Sequence, residues 1–141
     1  PELWWWFQGR SSPSQTASPY SLLRDLFTFR FEIQDNDSLA TVQSKMEHGF
    51  AEFMPTEAQS IEKAHVVGQL LGFDFSSSPY LRGLLQDPKQ MRSLGFGYLT
   101  RFFISAAQIH PVILLLDDIH WADTGSLEAL MHILTNIPAR L

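Results

Sequence analysis

The most conspicuous acids of this sequence lie in one stretch, PVILLLDDIHWAD, from Pro111 to Asp123. Five apolar residues, Val112 to Leu116, run without a break into Asp117 and Asp118, and His120, Trp121 and a third acid, Asp123, follow. Two neighbouring carboxylates repel each other, and each resists burial without a partner. A divalent cation resolves both problems, because Mg²⁺ prefers one or two carboxylates together with retained waters and phosphate oxygens. On this reading Asp117 is the candidate metal ligand, approached through water. Asp118 is the candidate catalytic residue, orienting a water that attacks a phosphate. Successive side chains of a strand point to opposite faces, so both acids reach one ligand only if the strand ends and bends at Asp117–Asp118. The plainer alternative is that one of the pair ends the strand and caps a turn.

These residues need a frame to hold them. Val112–Leu116 is short, continuous and partly β-branched, and it reads as a strand. Apolar on both faces, such a strand is expected inside a parallel sheet covered on both sides. Ligands of such sheets bind beyond the carboxyl ends of the strands, which is where Asp117 and Asp118 would stand. A second buried strand is expected over LWWWFQG, Leu3 to Gly9, with its tryptophans in the core. It delivers Arg10 to the same rim, as a phosphate contact or as a plain surface arginine. His120 is open between a sensor of the terminal phosphate and an exposed or capping residue. Trp121 reads as a packing residue and Asp123 as a helix cap.

The hundred or so residues between the strands read as mostly helix. Ser18 before Pro19 has the form of a helix start, followed by Tyr20, Leu23, Phe27 and Phe31 at helical spacing. Asn36 or Asp37 can cap a second helix with Leu39, Val42, Met46, Phe50 and Phe53 inward. Ile61, Ala64, Val67 and Leu71 suggest a third, closed by Gly72. FDFSSSPYLRGLLQ reads as a loop and a short helix. Asp87-Pro88 opens a long helix carrying Met91, Leu94, Tyr98, Phe102, Ala106 and Ile109. His110 precedes Pro111, which favours an extended chain there. Asp123 or Thr124 can cap a last helix with Leu127, Leu130, Met131 and Leu134 inward. Arg24 and Arg30 read as solvated. His48, His65, His110 and His132 lack metal-ligand spacing and read as structural.

Composition narrows the possibilities. The 141 residues suffice for one domain with a core. A net charge of -5 and a pI of about 5.4 argue against a nucleic-acid surface in this segment. Cysteine is absent, which excludes disulfides and cysteine-bound zinc and fits a cytoplasmic protein. No apolar run approaches the roughly 18–20 residues of a membrane span. The chain opens on Pro1 with no signal-peptide pattern, and both ends read as cut points within a longer protein.

VILLLDDIHWADTGSLEAL resembles the Walker-B segment of STAND-type, AAA-like P-loop ATPases. These modules occur in large bacterial signalling proteins, beside class III adenylate/guanylate cyclases, Ser/Thr kinases and LuxR- or MalT-like regulators. QGR and the following SPYSLLRDLF are similar to the strand that ends in Gly-Arg and the Pro-Tyr helix of that family. EKAHVVGQLLGFDF and the long helix before Pro111 are similar to its helical insert. The resemblance implies an α/β P-loop NTPase fold, residues 1–141 being an internal slice from after the phosphate loop to the helix after Walker B. It implies ATP and Mg²⁺ as ligands, Asp117, His120 and Arg10 as their contacts, and Asp118 as catalytic residue. It also implies other domains of the same polypeptide as partners and the potential for nucleotide-dependent self-association. Two departures matter. No GxxxxGK[ST] occurs in the chain, so the phosphate cradle is missing and the segment alone is expected to be inactive. Asp118 is one methylene shorter than the Glu usual in the wider AAA class, which suits slow hydrolysis in a switch. The rival expectation is a non-catalytic helical interaction module with a degenerate nucleotide site.

Overall fold

The computed structural model describes residues 3–138. The family resembled would begin its next strand after Pro138-Ala139-Arg140-Leu141, and residues 139–141 lie outside the described ones. The chain runs β1 (Trp5–Arg10), α1 (Ser21–Arg30), α2 (Leu39–Phe53), α3 (Ser60–Leu70), α4 (Pro88–Ile109), β2 (Val112–Asp117) and α5 (Thr124–Asn136). Single 3-10 turns lie at Pro13–Gln15, Pro79–Leu81 and Ile119–Trp121. It is a mixed helix-and-strand fold on a two-stranded parallel sheet, with Trp5 opposite Val112 and Arg10 opposite Asp117. Both strands therefore end at the same rim, as expected. No described helix is long and apolar enough to cross a membrane.

The core lies on one face of the sheet. Trp5, Phe7 and Gly9 point into it, joined by the partly buried Val112, Leu114 and Leu116. Phe102 of α4 is the centre of an aromatic cluster, its ring within 4.7–6.2 Å of Phe7, Phe27, Phe31, Phe50, Phe53 and Phe103. Edge-to-face ring pairs of this kind add about 0.5–1.5 kcal/mol each beyond the area they bury. Trp5 also donates its indole N–H to the Ala106 carbonyl (3.0 Å), tying β1 to α4.

The other face of the sheet departs from expectation. Trp6, Gln8, Ile113 and Leu115 lie there uncovered by any described element, and Leu115 is 40% exposed. The apolar run Val112–Leu116 is thus half-covered rather than sandwiched. Of the three tryptophans only Trp5 is a core residue; Trp4 precedes the strand and is exposed.

Helix starts are where the local signals were most misleading. Ser18 and Pro19 do not open α1: it begins at Ser21, with Tyr20 in a left-handed conformation (φ 61°) at the cap position and no capping group of its own. Ser38 caps α2 by accepting from the Thr41 N–H, while Asp37 accepts from Gln34 N–H and Lys45 instead. Asp87 caps α4 as expected, accepting from Gln90 N–H. On α5 the inward face carries Ser126, Ala129, Leu130 and Ile133, whereas Leu127, Met131 and Leu134 are exposed. Leu130 faces inward as expected, but the helix is rotated from its expected phase, with Ser126, Ala129 and Ile133 in place of Leu127, Met131 and Leu134. Leu39 and Ile61 are likewise exposed. Arg24 and Arg30 are not simply solvated: their guanidinium groups lie over Phe73 (4.5 Å) and over Trp5 and Phe53 (5.1 and 5.2 Å).

The segment after α3 is drawn tightly onto it. Phe73 N–H bonds the Gly68 carbonyl, Phe75 N–H bonds the Gln69 side chain, and His65 bridges Ser78 (2.6 Å) and Glu47 (3.4 Å). Gly68 permits this, since a Cβ there would overlap the Phe75 ring. Gly68→Ala is accordingly expected to destabilise the chain by about 1–3 kcal/mol through overpacking, read as a lower midpoint in urea denaturation with the slope unchanged.

Candidate functional site

Asp117 is the last residue of β2 and faces the open side of the sheet, beside Arg10 at the end of β1. The ladder continues one rung past them, with Ser11 N–H donating to the Asp117 carbonyl (3.1 Å). Asp118 then takes a left-handed conformation, φ 55° and ψ 41°. Aspartate is among the few residues that adopt this region readily. The strand therefore ends and bends at the acidic pair, the condition needed for both carboxylates to reach one ligand. Arg10 completes the cluster: its guanidinium lies 3.8 Å from a carboxylate oxygen of Asp117 and 3.8 Å from one of Asp118. All three side chains are at least half exposed, so these ion pairs contribute little to stability and can open to a ligand.

The backbone beneath Arg10 is held separately. Its N–H, which points away from β2, donates to the Asp25 carboxylate of α1 at 2.7 Å. Asp25 was not singled out from the sequence, and only the pairing of α1 with β1 reveals its role. His120 follows in the 3-10 turn, its ring against Trp121 at 5.1 Å between centroids. Neither is buried: Trp121 is exposed, contrary to the expectation of a packed ring, and its contribution to the fold is a carbonyl that accepts from the Thr16 hydroxyl at 3.0 Å. The rim thus brings together Arg10, Asp117 and Asp118, with His120 on the adjoining turn and no described contact joining it to them.

Among the described residues Asp123 is the one acid that the fold encloses, at 2% exposure. One oxygen accepts from Tyr20 N–H (2.6 Å) and Ser126 N–H (2.8 Å); the other accepts from the Ser21 hydroxyl and Leu22 N–H, both at 3.2 Å. Ser126 adds a bond of its own, its hydroxyl accepting from Leu23 N–H (3.1 Å). Asp123 is therefore a helix cap, as expected, but for two helices: it closes α5 and supplies the cap that α1 lacks. Burial pushes its pKa up, yet the hydrogen bonds from Ser126, Leu22 and Tyr20 outweigh burial and hold it below the ordinary aspartate value.

No group of three or more His, Cys, Asp or Glu side chains that could cage a metal occurs among the described residues. The acidic pair is two half-exposed carboxylates paired with Arg10. Compared with protein-family models, curated proteins and solved structures, the chain finds no match.

The capping role of Asp123 has a testable energetic signature. Asp123→Ala leaves the N–H groups of Tyr20, Leu22 and Ser126 without their acceptor and should cost on the order of 2–4 kcal/mol. A carboxyl with a lowered pKa in the fold stabilises above its unfolded-state pKa, and that contribution disappears as pH falls through the folded value. Asp123→Asn, which cannot ionise, should therefore show a shallower loss of stability below about pH 5 than the parent chain. Thermal melts across pH for the two proteins make the comparison.

Proposed function

We propose that the chain is the Walker-B portion of an AAA/STAND-type P-loop ATPase, a switch that binds ATP with Mg²⁺, hydrolyses it slowly and gates an attached output domain. The observation that carries this reading is the acidic pair at the carboxyl rim of parallel strands, bent by Asp118 so that both carboxylates and Arg10 share one site. The donor set fits Mg²⁺, which needs only one or two carboxylates when phosphate oxygens and water complete its shell. When bound there, Mg²⁺ supplies neutralisation of phosphate charge.

The chain's own residues divide the remaining work. Asp117, at the strand end, would hold the cation from the outer face of the sheet. Asp118, displaced from the strand line, would orient the attacking water and accept its proton. Arg10, exposed and fixed at its main chain by Asp25, would turn from the carboxylates to phosphate. His120 would reach the terminal phosphate from the adjoining turn. The other domains of the same polypeptide are the partners that such a switch would act upon.

One observation favours a second reading. Arg10 already balances both carboxylates. In a non-catalytic interaction module with a degenerate nucleotide site, that ion pair would be the permanent state of the rim.

Substitution of the two acids in the full-length protein separates these readings. Asp117→Asn removes charge facing the metal and should weaken Mg-ATP binding and hydrolysis together. Asp118→Asn suits the left-handed backbone equally well, so its effect reports chemistry rather than strain. It should keep ATP binding and lower single-turnover hydrolysis by about 10²–10⁴-fold, the usual contribution of a general base. Normal binding and hydrolysis in both variants would make the two aspartates structural, and a parent protein without Mg-ATP binding or hydrolysis would establish the interaction module instead.

A further inference from the structure

We propose that Ser78 is an acceptor for activated acyl groups, its hydroxyl made nucleophilic by His65 while Glu47 positions the imidazole. The inference is independent of the nucleotide reading. Its residues lie on α2, on α3 and beside the 3-10 turn Pro79–Leu81, none of them on the sheet. Ser78 Oγ lies 2.6 Å from His65 Nδ1, and His65 Nε2 lies 3.4 Å from a carboxylate oxygen of Glu47. A carboxylate can only accept, so Glu47 draws the imidazole proton to Nε2. The lone pair is then left on Nδ1, and the Ser78 hydroxyl donates to it. Nucleophile, base and orienting acid thus follow one another in hydrogen-bonding order, the arrangement that activates a hydroxyl. The two ring nitrogens are exchanged relative to a Ser-His-Asp triad, which alters no role because either can carry the proton. The Glu47 contact is the longer of the two, and such contacts tighten as the reaction proceeds.

Packing holds each member in place. The His65 side chain is mostly buried, its ring 4.7 Å from Phe75 and 5.5 Å from Tyr80 between centroids. Ser78 N–H donates to the Phe75 carbonyl (2.9 Å), and the Ser78 hydroxyl accepts from Tyr80 N–H (3.2 Å). A hydroxyl has two lone pairs and one proton. The bond from Tyr80 uses one lone pair, His65 takes the proton, and the second lone pair is left for attack. The neighbouring serines are more exposed but differently placed. Ser76 gives its hydroxyl to Asp74 (2.6 Å), and Ser77 has no described contact with an imidazole.

The surroundings choose the electrophile. Glu47 beside the ring and Asp74 four residues before Ser78 disfavour an anionic phosphoryl donor, and the exposed Tyr80 ring offers an apolar wall. A small neutral acyl group on a good leaving group suits this setting. Ser78 Oγ bonds to the acyl carbon as the bond from that carbon to the leaving group breaks. The hydroxyl proton passes to His65 Nδ1 and from there to the leaving group, so the products are a serine ester and the protonated leaving group. While the imidazole holds that proton, its charge faces Glu47. The N–H groups of Ser78 and Tyr80 are already committed and do not hold a developing oxyanion. The chemistry is therefore a single modification by an activated donor, not turnover.

The test is acetylation of the full-length protein by p-nitrophenyl acetate, followed residue by residue with mass spectrometry. Ser78 is expected to take one acetyl group, faster than Ser76 or Ser77 by about 10²-fold or more. Its rate should rise with pH as a single base loses its proton and then level off. His65→Gln should lower the rate by about 10²–10⁴-fold, the contribution of a general base. Glu47→Gln should lower it by a smaller factor, with the Phe75 amide still protected from exchange to show that the segment remains docked. Should His65→Gln undock the segment, the Glu47→Gln rate and the parent's pH profile decide the matter. The proposal is overturned by the absence of a Ser78 adduct, or by acetylation spread equally over Ser76, Ser77 and Ser78. A Ser78 rate indifferent to pH and to Glu47→Gln overturns it as well.

Discussion

The buried carboxylate of Asp123 is the interaction on which the remainder of the structure leans. A helix start leaves N–H groups without intrahelical partners and carries the positive end of the helix dipole. In this chain two such starts meet at one anion. Tyr20, left-handed and with its ring held between Gly125 and Phe96, cannot cap α1 by its side chain, so α1 borrows a cap from across the chain. The consequence for the rim is direct. α1 fixes the backbone of Arg10 through Asp25, and the turn holding Asp118 and His120 is anchored a few residues later by Asp123. The same carboxylate thus positions both sides of the acidic cluster.

What could be read from the sequence follows from how local each signal is. Val112–Leu116 and Leu3–Gly9 stood out because an apolar run of strand length declares itself without reference to anything else, and Pro111 marks where the preceding helix must stop. Asp87-Pro88 was legible for the same reason, a cap and a proline acting within one turn. The start of α1 was not, because its capping group lies a hundred residues away and Ser18-Pro19 offers a local imitation. The phase of α5 was legible only at Leu130, because Ser126 is drawn inward by its bond to the start of α1 and brings Ala129 and Ile133 to the core side in place of Leu127 and Met131. Hydrophobicity alone ranks Ser126 and Ala129 below Leu127 and Met131.

The same distinction applies at the rim. That two aspartates ending a strand form a candidate site was visible in their spacing. That Arg10 reaches both of them depended on the parallel register, and that Asp25 secures Arg10 depended on the docking of α1. The left-handed turn at Asp118 adds a reason for the residue type there. Glutamate would offer a longer reach, but aspartate tolerates this backbone region far better. The shorter acid therefore suits the bend, although Glu32 holds the same left-handed conformation (φ 55°) elsewhere in the chain.

The pairing of β1 with β2 also imposes an order of assembly. Trp5 bonds Pro111 and Ala106, and the N-terminus of α1 bonds Asp123 and Ser126, all across separations of about a hundred residues. Helices α2, α3 and α4 meet neighbours much nearer in the chain. Long-range pairing is the slow part of folding because the intervening chain must first be closed into a loop. During synthesis the first strand emerges aromatic and unpaired, and the first helix emerges without its cap. Both wait until nearly the whole of this segment has left the ribosome, so the residues that open the segment are the last of it to be secured.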